Sequence, residues 1–233
     1  MTHLLMPSLF DQFNPPYLLL TPLILPAILI PMLYPTILPT TNWFPTRSSF
    51  LLSLIKTSLT TTMLQPTGKK SSPWAALLLS LFLLLLLINL LGLSPYSFTP
   101  TAHFSLTLSL ALPLWLSVTI LGFRSDFNSR LSHLVPQGTP FLLIPLLVWI
   151  ETLSLMAQPL ALSLRLAANL TAGHLLMYLL TTASLAISSI TLMGGFCVFT
   201  VLTLLFMLEM AVACMQAYVF TALAAFYLQN NLA

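Results

Sequence analysis

The sequence predicts an all-α membrane protein with several transmembrane helices, a surface amphipathic helix and two long, tilted C-terminal helices. Of its 233 residues, 58% are hydrophobic and only 5% are charged. Soluble domains carry roughly 25% charged residues, so this chain has too few to cover a surface that faces water. Its apolar runs also reach the roughly 20 residues that cross about 30 Å of hydrocarbon. A bilayer therefore replaces a packed soluble core.

The N-terminal part, residues 1–73, predicts one span and one surface helix. The first candidate span runs from Tyr17 to Leu38 and is rich in proline, which such helices tolerate where neighbouring groups satisfy the freed backbone. No cleavable signal is expected, because the first residues lack a basic region and a small-residue cleavage site. Phe50 to Leu64 lies among basic and hydroxyl residues, which indicates a short amphipathic helix on the membrane surface.

Residues 74–133 predict two transmembrane helices. Trp74 to Leu93 and Phe104 to Phe123 contain no ionisable side chain, and a proline-containing turn at 94–103 joins them. Lysine and arginine are absent from this turn and from the N-terminal tail, but they are frequent in the segments 40–73 and 124–133. Since basic residues concentrate on the cytoplasmic-equivalent side, both basic segments are expected inside and the N-terminus outside.

Residues 134–233 predict a long helical hairpin. The apolar segments from Phe141 to about Leu180 and from about Leu192 to Leu228 each run to about 35–40 residues, whereas a perpendicular span needs about 20. Each segment is either two short spans, with Pro159 and Gly173 as possible breaks, or one strongly tilted helix. The absence of a polar turn around Pro159 favours the single helix.

Four ionisable residues fall inside this hairpin: Glu151, Arg165, His174 and Glu209. A charge at the bilayer centre costs at least about 2.5–3.5 kcal/mol, so such residues usually face a bundle interior or a water-filled cavity. A buried Arg–Glu pair that only joins two helices is the simpler alternative. One such pair does not require four ionisable groups with amides beside them, so handling of protons is favoured.

The first long helix carries a polar stripe. Glu151, Gln158 and Arg165 follow at seven-residue intervals, which drift by only about 20° per step around a helix. Asn169 lies about 40° from Arg165 on the same side. His174 lies about 180° around from the arginine and about 13.5 Å further along. This order predicts an inner route at Glu151 and an outer route at His174, separated by the charge of Arg165.

The second long helix carries a matching stripe, because Glu209 and Gln216 are also seven residues apart. Next to them Ala213 and Ala217 form a pair of small residues, which allows another backbone to approach closely. Two helices that each carry one polar stripe predict a shared aqueous path.

Other chemistries find little support. The chain has no phosphate-binding glycine loop and no Cys/His cluster with metal spacing, so no cofactor or metal is expected. Cys197 and Cys214 are about 25 Å apart on a continuous helix, too far for a disulfide. A serine or threonine nucleophile with His174 as base remains open, although no GxSxG context supports one. The net charge of +3 is spread along the chain, which argues against nucleic acid as a partner.

The string from Arg165 to His174, RLAANLTAGH, resembles the signature of subunit a of F-type ATP synthases, and most closely that of the animal mitochondrial form. The resemblance covers roughly residues 75–229, whereas the N-terminal third resembles the family mainly in hydropathy. Further matching motifs are Leu90–Thr101, Pro136–Pro140, Ile150–Thr152 and Gln216–Phe220.

The resemblance implies a non-catalytic stator subunit of the membrane sector, in the mitochondrial inner membrane, beside a rotating ring of c subunits that each carry one carboxylate. Other membrane-sector and peripheral-stalk subunits and lipids are the further implied partners. Arg165 matches the family's essential arginine, Asn169 the nearby amide, and Glu151 the carboxylate of the matrix-side half-channel. His174 and Glu209 match the half-channel open to the intermembrane space, and Gln216 faces the arginine.

Three competing interpretations lack their expected features. A secondary transporter would be favoured by internal repeats or by further buried acids on the early spans. A membrane subunit of a respiratory complex would be expected to carry a chain of buried lysines and glutamates. An intramembrane enzyme has the least support.

Overall fold

The computed structural model describes residues 13–14, 17–18, 21–22, 24–37, 47–64, 72–94, 98–125, 127 and 143–232. These residues form six α-helices, one 3-10 turn and a minimal antiparallel pair of two-residue strands, which confirms the all-α class. The elements are β1 Tyr17–Leu18, β2 Thr21–Pro22, α1 Ile24–Ile37, α2 Arg47–Leu64, α3 Ser72–Gly92, the 3-10 turn Pro100–Ala102, α4 Phe104–Ser125, α5 Ile144–Ser188 and α6 Leu192–Leu232.

Four of these helices are long and apolar enough to cross a membrane: α3, α4, α5 and α6. The predicted spans at 74–93 and 104–123 are confirmed to within about two residues. Helix α5 continues through Pro159 and Gly173 for 45 residues, which confirms one long helix rather than two short spans. At 1.5 Å per residue it extends about 67 Å, twice the hydrocarbon thickness, so it tilts strongly or extends beyond the bilayer.

The predicted first span is shorter than expected. Its described helical part is α1, with 14 residues, and Tyr17–Leu18 and Thr21–Pro22 form the short strand pair instead. Fourteen helical residues extend only about 21 Å, less than the hydrocarbon thickness. The strand pair before Ile24 takes the place of the expected first helical turns, whereas α1 itself continues through Pro26, Pro31 and Pro35.

Helix α2 occupies the predicted surface segment and begins three residues earlier than expected, at Arg47. Phe50 and Leu54 are exposed on it, as are Ser53 and Thr57. Lys69, Lys70 and most of the second basic segment, 124–133, lie outside the described residues, so the predicted distribution of loop charge remains a prediction.

The core is a two-layer bundle. Helices α5 and α6 form an antiparallel hairpin, and α3 packs on α6 while α4 packs on both α5 and α6. Ala213 and Ala217, the predicted pair of small residues, are fully buried in this contact. The central cluster consists of Phe82, Leu85, Ala111, Leu162, Leu166, Ala217 and Phe220.

The end of the hairpin at the turn between α5 and α6 leaves the bundle. We call residues 176–208 the arch. Its large apolar side chains are mostly exposed, among them Leu185, Met193 and Leu204. At the turn between the two long helices, a Cβ on Gly195 would lie 2.9 Å from the Ser188 Cα. The two helix ends therefore approach closely only because residue 195 has no side chain.

Candidate functional site

His174 of α5 and Glu209 of α6 face each other across the hairpin. The His174 Nε2 and the Glu209 Oε1 lie 4.0 Å apart, and these side chains are only 22% and 6% exposed. The distance is too long for a direct hydrogen bond, but it is short enough for one water molecule to connect the two groups. The structure thus brings together two of the predicted residues from different helices.

The polar atoms of this pair are buried without partners. Among the described residues, the His174 Nε2 and both carboxylate oxygens of Glu209 have no hydrogen-bond partner. Buried polar groups in proteins are almost always satisfied by a partner or by water, and each exception calls for an explanation. An imidazole next to a carboxyl, both with free lone pairs or protons, is suited to passing a proton rather than to joining two helices.

Gly173 makes this approach possible. A Cβ at residue 173 would lie 2.6 Å from the Glu209 Oε1 and 3.0 Å from its Cδ. The sequence suggested Gly173 as a possible helix break, but α5 is continuous there. The glycine instead provides the space in which the carboxyl of Glu209 sits beside His174.

Replacing Gly173 by alanine is therefore expected to displace the Glu209 carboxyl and slow proton transport severalfold. Stability should change little, because the displaced atoms end a flexible side chain and alanine gains about 1 kcal/mol of helix preference over glycine. Proton pumping by the reconstituted complex measures the effect. Adding Glu209→Asp, which shortens the acid by one methylene, should restore part of the rate. As a control, Ala172→Ser, at the exposed neighbouring residue, should leave the rate unchanged. A normal rate for Gly173→Ala alone contradicts the expectation.

Arg165 lies on a different face of α5 from His174. Its side chain is exposed, and no carboxylate in the described part of the chain lies within 4.0 Å of the guanidinium. Glu151 and Asn169 are exposed on the same stripe, and Gln158 is half-buried. The alternative of an intrachain Arg–Glu pair that only joins helices therefore finds no support among the described residues.

The opposite face of α5 is buried against the bundle, including Pro159, Leu162 and Leu166. The polar stripe thus runs along the border between this packed face and the open face of the hairpin. A fixed cation at such a border is available to a neighbouring protein in the membrane.

Gln216 is buried on α6, three residues after Ala213. Near Ala213, helix α3 contributes the amide of Asn89, which sequence reasoning missed. Asn89 is 1% exposed, and its Nδ2 donates to the Ala213 carbonyl oxygen at 3.3 Å. Its Oδ1 has no partner among the described residues. Asn89 is the single amide in the apolar run of α3, which is a signal that sequence reasoning had available.

Two other features offer no further chemistry. Within the described residues no group of three His, Cys, Asp or Glu side chains is arranged to hold a metal. Cys197 and Cys214 are free and exposed on α6.

Comparison with known proteins gives a consistent family. The profile of the family described as ATP synthase A chain matches residues 18–229. "ATP synthase subunit a" of Paracentrotus lividus is 51% identical over 231 residues, covering 99% of this chain and all of that protein. The protein of the same name from Pisaster ochraceus is 52% identical over 97% of this chain and 98% of its own length. "ATP synthase F(0) complex subunit a" of Gallus gallus is 48% identical over 97% and 99%, respectively.

Proposed function

The chain belongs to the ATP synthase A chain family, and we propose that it is the stator subunit that loads and unloads the carboxylates of a c-subunit ring through two offset half-channels separated by Arg165. As a member of this family it is a proton-translocating membrane subunit of ATP synthase and does not itself catalyse ATP synthesis. The half-channels, the ring and the residue roles are the proposal.

One observation carries this proposal: the guanidinium of Arg165 is exposed on an apolar helix, with no carboxylate of the described chain within 4.0 Å. A charge in the hydrocarbon is costly unless it is paired or hydrated. No carboxylate of the described residues supplies a counter-charge, and the carboxylates of a neighbouring ring have the chemistry to provide one.

The mechanism follows from the cost of charge in lipid. A protonated ring carboxyl is neutral and can travel facing lipid, whereas an ionised one cannot. Near Arg165 the ionised form is favoured, because an opposite charge stabilises it. During synthesis each ring carboxyl releases its proton into the inner half-channel, passes Arg165 and takes a new proton from the outer one. The permanent charge of Arg165 also repels protons that would otherwise leak across.

The outer half-channel contains His174 and Glu209, the largely buried pair with unpartnered polar atoms. The inner half-channel contains Glu151 and Gln158, which lie toward the start of α5. We assign Asn169 of α5 and Gln216 of α6 to the region around the arginine. Each proton delivers about 2.3 kcal/mol per 100 mV of membrane potential, and the two offset routes convert this energy into directional rotation.

The proposed location is the mitochondrial inner membrane, which the animal sources of the relatives support. We assign the 94–103 turn and the N-terminus to the intermembrane space, because neither carries lysine or arginine. For the N-terminus, this assignment requires residues on either side of α1 to complete the first crossing of the membrane. The whole chain is one integral membrane domain whose other neighbours are membrane-sector and peripheral-stalk subunits and lipids.

Cross-linking tests the proposed partner. Cysteines that replace Leu160, Leu164 or Ala168, all on the exposed face of α5, should form disulfides with cysteines placed on the outer helix of the c-subunit hairpin. Matched cysteines at Leu116 and Ile120 are equally exposed, but they lie on α4 in the other layer and should not react. Oxidation of membranes followed by gel electrophoresis reads the result. Equal yields from both helices, or none from α5, would remove the ring from the proposed position.

A further inference from the structure

The turn between α3 and α4 carries two polar groups that the function above does not use. Thr101 is 1% exposed, and its Oγ1 has no hydrogen-bond partner among the described residues. The Nε2 of His103 is likewise buried and unpartnered. The His103 ring lies against Phe98, with ring centroids 5.4 Å apart. The Thr101 hydroxyl and the Nε2 side of His103 are therefore directed into the protein, while the half-buried imidazole ring as a whole is not sealed from the outside.

Packing between α4 and α5 gives the level of His103 in the bundle. Ala111 of α4 packs in one cluster with Leu162 and Leu166 of the antiparallel helix α5. His103 precedes Ala111 by eight residues, about 12 Å along a helix, and His174 follows Leu166 by the same number. His103 and His174 thus lie at about the same level.

Packing between α3 and α6 gives the same answer. The Asn89 side chain of α3 donates to the Ala213 carbonyl of α6, so these two residues lie at one level. About one helical turn further toward the outer end, α3 ends at Gly92, and the residue of α6 at that level is Glu209. The 3-10 turn Pro100–Ala102 then packs on α3, α4 and α5. The unpartnered atoms of the turn and those of the His174–Glu209 pair therefore lie at one end of the bundle, at one level.

We propose that His103 is a proton-relay residue at the outer opening of the passage that leads to His174 and Glu209, and that Thr101 lines this opening. This inference rests on the proposed function and extends it by one residue pair. Several buried polar atoms without partners at one level indicate a hydrated space, because water is the remaining group that satisfies them.

Imidazole has the chemistry for this task. His103 takes one proton from the outer water on a ring nitrogen and becomes an imidazolium. It then gives one proton to the hydrated space in front of His174 and returns to its neutral form, so no net charge or atom accumulates. The Thr101 hydroxyl both donates and accepts a hydrogen bond and can therefore connect successive water molecules. The Phe98 ring holds the imidazole in place.

The test uses the complete ATP synthase with variant subunits, reconstituted in liposomes so that the turn faces the lumen. ATP synthesis is driven by an imposed acidic lumen and a potential. His103→Ala is expected to lower the synthesis rate at least about fivefold. Imidazole in the lumen should restore much of that loss, because it enters the space left by the ring. His103→Gln should be equally slow, since the glutamine amide still forms hydrogen bonds but does not bind and release a proton at neutral pH.

Controls separate this role from a structural one. Ser105→Ala, at an exposed residue near His103, should synthesise ATP at a normal rate. Thr101→Val should lower the synthesis rate, whereas its control Thr119→Val, near the inner end of α4, should not. A normal rate for His103→Gln, or no rescue of His103→Ala by imidazole, would overturn the relay, and a normal rate for Thr101→Val would remove the threonine from the opening. If Arg165→Ala is inactive while the His103 variants are normal, only this inference fails. If Arg165→Ala synthesises ATP normally, the proposed function itself fails.

Discussion

Replacing Arg165 by alanine is expected to abolish ATP-driven proton pumping and coupled ATP synthesis while leaving assembly of the complex largely intact. The opposite charge of an arginine shifts the ionisation equilibrium of a nearby carboxyl by about 10- to 1000-fold, so without it a ring carboxyl stays protonated and delivers no proton. Assembly should survive, because the side chain is exposed and makes no ion pair within the described chain. Proton pumping in reconstituted vesicles measures the loss of activity, and native gel electrophoresis measures the assembly of the complex.

Arg124 provides the matched control for Arg165. It is also an exposed arginine, but it lies in the last turn of α4, away from the polar stripe of α5. Arg124→Ala should pump at a normal rate. Normal coupled synthesis by Arg165→Ala, or equal losses for both variants, would mean that the charge at residue 165 has no specific part in proton transport.

Replacing Glu209 by glutamine is expected to slow proton uptake from the outer side at least about tenfold, because the amide has the same shape but does not bind and release a proton at neutral pH. Stability should not fall. Both carboxyl oxygens are buried without partners in the described chain, and a neutral group costs less there than a charged one. Proton flux driven by a potassium diffusion potential measures the rate, and thermal unfolding of the solubilised complex measures the stability.

The pairing with His174 gives the Glu209 experiment a second test. If the two groups pass the same proton, His174→Gln should be slow as well, and the double variant should be little slower than either single one. Thr203→Val, at an exposed site on α6, should be normal. Additive losses in the double variant, or unchanged flux in Glu209→Gln, would separate the two residues from a common path.

Much of the fold is predictable from the sequence because a bilayer imposes simple requirements on it. The long apolar runs predict the helices α3 to α6, since each must satisfy its backbone internally. The seven-residue spacing from Glu151 to Arg165 predicts one polar stripe. In the structure the exposed Arg165 and the half-buried Gln158 lie where the packed face of α5 meets its open face. These are properties of a single helix, and periodicity reports them directly.

The parts that sequence reasoning missed depend on contacts between helices. Gly173 reads as a possible break until Glu209, 36 residues later in the chain, is seen in the space beside it. Asn89 reads as an isolated amide until α6 presents the Ala213 carbonyl to it. The predicted span from Tyr17 differs because Tyr17–Leu18 and Thr21–Pro22 pair as short strands before α1 begins, a local pairing that apolar length does not report.

The arch at residues 176–208 has a consequence for how this protein holds together. Its side chains gain little from the rest of the chain, so acyl chains and neighbouring subunits provide most of the contacts around it. Local opening costs least where internal contacts are fewest. Amide hydrogens of the arch should thus exchange well before those of the bundle core around Leu85, Leu166 and Ala217 when detergent replaces lipid. The end of the hairpin that carries the proposed outer proton route therefore depends on its surroundings for its shape.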